Sequence, residues 1–577
     1  MKRWTKYIKP YLLYFILGPL CMIIEVIGEV FMPRFLAGII NDSVAKGIGF
    51  TIEMTLGMIA LALIMMAGGV GGAYFGAKAS VNFAADLRQD IYKKVQGFSF
   101  ANIDKFSTGS LVTRLTNDVT QLQNFVNMLL RMFLRAPGML IGALIMAITL
   151  KPSLAVVLAV TIPLMLISVI FIIRTGFPRF GKMQIKVDKL NSTVQENITN
   201  VRVVKSFVRE DHEKKKFEAA NKELKDSNIS AVKVMIFMGP VMTIFMNVTT
   251  VAVLWFGGKM VLDANFPMPI GDLSSFITYV TQILSSLMMV TMMLMHSSRA
   301  LASARRIKEV LDEKADISDD DAEKKDLLVE RGEIEFKNMS FRYYKESPDA
   351  VLKNISLKIE AGETVGIIGS TGCGKTTLVS MIPRLYDPDE GEVLIDGVSV
   401  KDYSLVNLRE GIGMVLQKNI LFSGTIRDNL LWGDENATDE DIRRAAESAQ
   451  AKGFIEASSE GYEKELEQGG VNVSGGQKQR LCIARALIKK PKILILDDST
   501  SAVDTATEAR IRTALREEIP DSTKIIIAQR ISSVMEADKI VVMDDGVITG
   551  IGTHDELLLS NEEYKEIYTS QMASKEV

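Results

Sequence analysis

The chain has 577 residues, more than one hydrophobic core organises, so at least two domains are expected. Hydrophobic residues make up 47% and mean hydropathy is +0.17, which points to a membrane protein. The 67 Lys and Arg residues are balanced by 70 Asp and Glu residues, so no electrostatic footprint for nucleic acid is present. Cys21, Cys373 and Cys482 are scattered, as are His212, His296 and His554. That spacing forms neither a disulfide framework nor a Cys metal site, and it gives a His-based metal site or triad little to build on.

In chain order, the first ten residues carry Lys2, Arg3, Lys6 and Lys9 before an apolar run. A secretory signal is rejected, because no small-residue cleavage site follows and apolar spans keep recurring. Six spans are expected: residues 11–32, 54–77, 132–150, 152–173, 234–258 and 273–298. The long connections, residues 78–131 and 174–233, are rich in Lys and Arg. The short ones, residues 41–52, around Lys151 and 263–272, carry little positive charge. The asymmetry places the long connections and both termini in the cytoplasm. These connections predict helices running beyond the bilayer, with short helices within 100–116 and 191–209 able to contact a cytoplasmic domain.

Glu25 and Glu29 lie one turn apart inside the first span. Two roles are open: lining a cavity, or lying near the interface or pairing with Arg131 or Arg135. Met288, Met289, Met292, Met293 and Met295 share one helix and read as helix packing rather than an adaptable binding surface. The domains expected are a transmembrane domain over 1–315, an acidic linker over 316–330 and a nucleotide-binding domain over 331–577.

In the last of these, the apolar run 365–368 enters Gly369-Ser370-Thr371-Gly372-Cys373-Gly374-Lys375-Thr376, followed by Thr377. This is a P-loop between a strand and a helix, whose backbone N–H groups close around phosphates. Lys375 is expected at the β/γ-phosphates of ATP and Thr376 on Mg²⁺. Cys373 reads as a tolerated small residue. A second apolar strand, 493–496, ends in Asp497, the expected second Mg²⁺ ligand, and Asp498. Residues 525–528 predict a third buried strand, and 539–543 with 547–551 a hairpin around Asp544-Asp545-Gly546. Ser474-Gly475-Gly476-Gln477 opens another helix with a good N-cap, a second phosphate-binding terminus. One ATP uses both only if they are close. A second copy of the domain resolves this, with each ATP held between one chain's P-loop and the other's SGGQ.

Together these motifs resemble those of the ATP-binding cassette (ABC) transporters, specifically exporters with six membrane helices fused ahead of the cassette. The fold implied is an α-helical six-span transmembrane domain fused to an α/β P-loop nucleotide-binding domain with a helical subdomain. The resemblance implies that Tyr343 stacks on adenine, that Gln417 senses Mg²⁺ and the membrane domain, and that Ser501 to Asp504 face the opposite site. It also implies that 100–116 and 191–209 hold the coupling helices. Three positions depart from the family pattern. Asp498 stands where the family has a catalytic glutamate, Gln529 stands where it has a switch histidine, and Leu466-Glu467-Gln468-Gly469-Gly470 precedes the signature.

An Asp carboxylate is held back by about 1.5 Å, one C–C bond. A misplacement of about 1 Å costs about 100-fold in rate. Gln529 hydrogen-bonds but carries no proton or charge toward the transferring phosphate. The site is therefore expected to bind ATP and Mg²⁺ and to hydrolyse slowly, while VSGGQ and Asp504 complete a competent site on a homologous half-transporter. The resulting expectation is a heterodimeric drug exporter in the cytoplasmic membrane, in contact with lipid and a small-molecule substrate. The alternatives are a slow homodimer, a lipid or peptide exporter and, in a different class, an ATP-switched regulatory membrane protein.

Overall fold

The computed structural model describes residues 3–262, 268–320, 322–345, 347–499 and 503–573. Ser501, Ala502 and Asp263, and the side chains of Met292, Met295 and His296, lie outside that description. The chain forms two compact units, Met1–Gln96 with Gly109–Asp312, and Gly97–Thr108 with Glu313–Val577.

The first unit is helical. Leu12–Gln96 is one helical stretch broken at Gly47, whose φ of 77° and ψ of −178° are not helical. The two halves fold back on each other: Gly18 lies against Gly76, Gly28 against Met65 and Gly57 against Phe35. Small residues allow this approach, which a Cβ at Gly28, 2.4 Å from Met65, would obstruct. Thr108–Leu150, Pro152–Thr199, Glu210–Val261 and the stretch from Ile270 supply the other membrane-crossing candidates. The five stretches thus contain six crossings, because the first is a hairpin. Pro152–Thr199, with 48 residues, is about 70 Å long at 1.5 Å per residue, against about 30 Å of hydrocarbon. More than half of it stands outside the membrane.

Packing in this unit is organised by the helix Ile270–Asp312, which buries Phe276, Tyr279, Val280 and Ile283 against Val26, Val30, Met139 and Leu158. Pro33 has no N–H for the carbonyl of Glu29 one turn earlier. Gln282 Nε2 takes that role, donating to Glu29 O at 2.9 Å. Tyr279 donates its hydroxyl to Val30 O at 2.9 Å, and Ser275 donates to Pro33 O. A proline in a membrane helix is thus offset by polar side chains of a neighbouring helix.

In the second unit a six-stranded sheet runs in the order Val547–Gly552, Lys539–Asp544, Thr364–Gly369, Thr523–Ile527, Ile493–Asp497 and Ile412–Val415. All neighbours are parallel except the first pair, the expected hairpin. The central strands are apolar and buried on both faces, as a helix-covered parallel sheet requires. A second, antiparallel sheet contains Leu352–Ile359, Ile334–Phe341, Glu390–Ile395 and Val398–Ser399. A helical subdomain contains Asp439–Ser448 and Gly475–Ile488, packed through Ile442, Ala446, Leu481 and Ile483.

Residues 97–108 belong to this second unit, although the hydropathy pattern groups them with the membrane half. Asn102 donates to Glu313 Oε1 at 3.2 Å and to Lys314 O at 3.0 Å, and Lys105 pairs with Glu313 at 2.9 Å. The region forms two short helices, Phe100–Phe106 and Thr108–Thr113, parted by Ser107 at φ 50°. The 316–330 segment is irregular but packed: Lys324 N–H donates to Asp402 O at 2.9 Å and Asp319 accepts from Leu405 N–H at 2.9 Å. In the first unit, the other expected short helix is Val201–Ser206, flanked by the exposed Ile198, Phe207 and Val208.

Candidate nucleotide site

The P-loop leaves the C-terminal end of the Thr364–Gly369 strand, where ligand crevices form in open α/β sheets. Gly372 and Gly374 adopt φ of 87° and 100°, conformations that suit glycine, and Gly374 caps the helix Lys375–Ser380. A Cβ at Gly369 would stand 2.0 Å from Met543 O, so only glycine fits there. Ser370 donates to Asp544 Oδ1 at 3.0 Å, which ties the loop to the next strand, while Thr371 is exposed at its tip. Lys375 Nζ folds onto the loop, donating to Gly369 O at 2.9 Å, Ser370 O at 2.7 Å and Cys373 Sγ at 3.6 Å. Cys373 itself is buried.

Thr376 Oγ1 donates to Asp497 Oδ1 at 3.0 Å, so the two expected Mg²⁺ ligands meet although 121 residues separate them. Asp497 is buried, and among the described residues its Oδ2 has no hydrogen-bond partner. Burial pushes its carboxyl above the usual range, against the Thr376 hydrogen bond and with the neighbouring Asp498 charge adding to the rise. A buried carboxylate oxygen with no donor is chemically matched to a hard divalent cation, so the residues present fit Mg²⁺.

Asp498 follows at φ 47°, a left-handed conformation that aspartate tolerates better than most residues, and its N–H donates to Ile527 O at 3.0 Å. Gln529 Nε2 donates to Asp498 Oδ2 at 3.0 Å. Burial raises the Asp498 carboxyl, opposed by the Gln417 hydrogen bond, Lys375, Gln529 and Arg530. The structure thus brings Gln417, Asp498 and Gln529 together at the end of the sheet, beside Asp497 and Lys375.

Tyr343 donates to or accepts from Thr377 Oγ1 at 3.0 Å and is partly exposed, with its ring edge-on to Phe341 at 5.1 Å and Tyr386 at 5.2 Å. Ser474 caps the helix Gly475–Ile488 in a capping box: its Oγ accepts from Gln477 N–H at 3.3 Å, and Gln477 Oε1 accepts from Ser474 N–H at 3.0 Å. Gly475 is exposed and Gly476 half-buried at that helix mouth. Asp504 is occupied as a helix N-cap, accepting from Thr507 N–H at 2.9 Å, and that bond holds its carboxyl below the usual range.

Tyr386 was not legible as a site residue. Its hydroxyl donates to Asp104 Oδ2 at 3.1 Å and its ring lies 6.1 Å from Phe100, so it joins the Tyr343 cluster to the Phe100–Phe106 helix. Its only sequence signal is an aromatic shortly after the P-loop helix. Within the first unit, Arg135 pairs with the two membrane carboxylates. Its Nη2 lies 3.1 Å from Glu25 Oε1 and 3.3 Å from Glu29 Oε2. Arg131 instead packs against Gly76.

A P-loop cassette on a six-crossing helical unit defines a membrane ATPase whose hydrolysis is coupled to transport. The ABC transporter transmembrane region matches residues 15–287 and the ABC transporter family matches residues 352–501. The chain is 39% identical over 574 residues to the uncharacterized ABC transporter ATP-binding protein YfiB of Bacillus subtilis (strain 168), covering 99% of this chain and 98% of that protein. It is 34% identical over 585 residues to the putative multidrug export ATP-binding/permease protein YgaD of the same organism, covering 99% of each. A solved bacterial Atm1-family ABC exporter with ATP bound shares the fold at a TM-score of 0.79 and 24% identity over 98% of both chains. The chain belongs to the ABC transporter family. It is a multi-pass protein of the cytoplasmic membrane with a cytoplasmic nucleotide-binding domain.

Proposed function

We propose that this chain is one half of a heterodimeric exporter of amphipathic small molecules. Its own site holds ATP and hydrolyses it slowly, and its signature helix completes a competent site on a homologous partner. The observation that carries this reading is the Asp498–Gln529 pair. A carboxylate one methylene short of glutamate stands at the catalytic position, hydrogen-bonded to an amide where a proton-carrying imidazole is expected. The outward direction is supported by the name of the YgaD relative.

In this reading residues 1–312, apart from the 97–108 segment that packs with the second unit, form the membrane domain, 331–577 form the cassette, and the segment up to 330 joins them. Tyr343 stacks on adenine. The amides of Gly369 to Thr377 surround the phosphates, and Lys375 leaves the carbonyls of Gly369 and Ser370 for the β/γ-phosphates. Thr376, Asp497 and Gln417 would hold Mg²⁺, which would supply charge neutralisation on the phosphate oxygens. Asp498 positions the attacking water poorly, because its carboxylate stops about 1.5 Å short. The capping box at Ser474 leaves the N–H groups of Gly475 and Gly476 aimed out of the helix, toward the ATP of the partner. ATP binding at both sites closes the cassettes, and turnover at the competent site reopens them.

The test is reconstitution in nanodiscs of the full chain alone and with a homologous half-transporter that carries Glu and His at the positions of Asp498 and Gln529. ATPase activity and dye transport are expected only from the pair. Robust turnover by this chain alone would sink the slow-site reading. Lipid translocation without dye transport would replace the cargo assignment.

A further inference from the structure

The final helix, Glu562–Ala573, places Tyr564, Ile567, Tyr568 and Gln571 on one face, at i, i+3, i+4 and i+7. Tyr564 is wholly buried and its hydroxyl lies 2.7 Å from His554 Nδ1. Ile567 and Tyr568 pack on the same core, and the Tyr568 ring lies 5.4 Å from that of His554. Asn561 fixes the start of the helix: its Oδ1 accepts from Tyr564 N–H at 2.8 Å, and its Nδ2 donates to Thr549 O at 3.1 Å. The helix is therefore firmly docked, and the pattern calls for an apolar residue at its next inward position.

An amide stands there instead. Gln571 Oε1 accepts from Ile531 N–H at 2.9 Å, and Gln571 Nε2 donates to Gln529 O at 2.7 Å. One planar side chain thus spans Arg530 and holds the backbone on both sides of it. The polarity is fixed, since a flipped amide would set donor against donor and acceptor against acceptor. Ile531 is buried and begins the turn Ile531–Ser533, so the far end of the held segment is anchored. The near end carries the Gln529 side chain to Asp498.

We propose that Gln571 is a positioning residue for the ATP site: through its amide, the C-terminal helix sets where Gln529 stands relative to Asp498 and the γ-phosphate. This rests on the reading that Gln529 occupies the switch position. Without the clamp, segment 529–531 loses two hydrogen bonds, and Gln529 is free to leave the γ-phosphate end of the site while the P-loop is unaffected. The chain's last helix thereby bears on the discrimination between ATP and ADP.

The test uses the full chain in nanodiscs with Gln571→Met, which keeps the length and loses both bonds. Deuterium exchange at the Ile531 amide should rise by about tenfold, with the strands Thr523–Ile527 and Lys539–Asp544 unchanged. The ratio of affinities for a fluorescent ATP analogue over its ADP counterpart should shift by about threefold or more. An unchanged ratio, or faster exchange spread through the whole cassette, overturns the proposal. If Gln571→Met does not fold, Gln571→Glu keeps the acceptor for Ile531 and loses the donor to Gln529. The affinity ratio should then shift with Ile531 exchange near wild type, and a wild-type ratio overturns the proposal. Neither readout needs turnover, so rapid hydrolysis by the wild-type chain would remove the slow-site reading without deciding the clamp.

Discussion

Restoring the two departures at the γ-phosphate, Asp498→Glu with Gln529→His, should speed ATP cleavage at this chain's own site by about 30- to 100-fold. The added methylene moves the carboxylate forward by about 1.5 Å. Recovering a misplacement of about 1 Å is worth about 100-fold. Asp498→Glu alone should give about tenfold, because the amide of Gln529 still stands at Asp498 Oδ2. Gln529→His alone should give little, since the acid it would assist remains short. The two gains do not multiply, because both act on one phosphate. The backbone sets a cost: φ 47° at this position disfavours glutamate relative to aspartate by about 1 kcal/mol, so the thermal midpoint should fall by a few degrees. The assay is single-turnover cleavage of a photo-crosslinkable ATP labelled on the γ-phosphate, counted only on this chain after crosslinking. An acceleration below about threefold in the double variant, with the crosslinked nucleotide still bound, would refute the reasoning about reach and proton transfer.

Other consequences follow from the same geometry. Because burial holds the Asp497 carboxyl above its ordinary value, a proton competes with Mg²⁺ there. Mg²⁺ affinity in the presence of ATP should fall as pH drops through that raised value, and Asp497→Asn should abolish the dependence, as titration calorimetry would show. Chelating Mg²⁺ should release bound ATP from the wild-type chain. Arg135→Met leaves Glu25 and Glu29 without a cation inside the membrane and should destabilise the first unit by up to about 3 kcal/mol. Adding Glu25→Gln and Glu29→Gln should restore the thermal midpoint in detergent, and failure of that rescue would deny the pairing. Tyr386→Phe removes the hydrogen bond to Asp104, so amide exchange in Phe100–Phe106 should rise while ATP affinity changes by less than about threefold.

The amino-acid sequence by itself determined the parts whose chemistry is local. A P-loop needs glycine at Gly372 and Gly374 and an apolar strand before it, and both are visible within the consecutive residues 365–376. Apolar runs long enough to span the bilayer, separated by positively charged connections, fixed the membrane half for the same reason. The capping box at Ser474 was readable because both of its partners lie within one helical turn. What only the tertiary structure decided depends on residues far apart in the chain. Thr376 meets Asp497, Asp498 meets Gln529, and Arg135 rather than Arg131 takes Glu25 and Glu29. Residues 97–108 leave the membrane half because Asn102 and Lys105 find Glu313 and Lys314 more than 200 residues later. Gln571 shows the limit most directly. Its spacing from Tyr564 marks an inward position, but an amide donating to one backbone carbonyl and accepting from the next residue but one has meaning only once segment 529–531 has been folded against it.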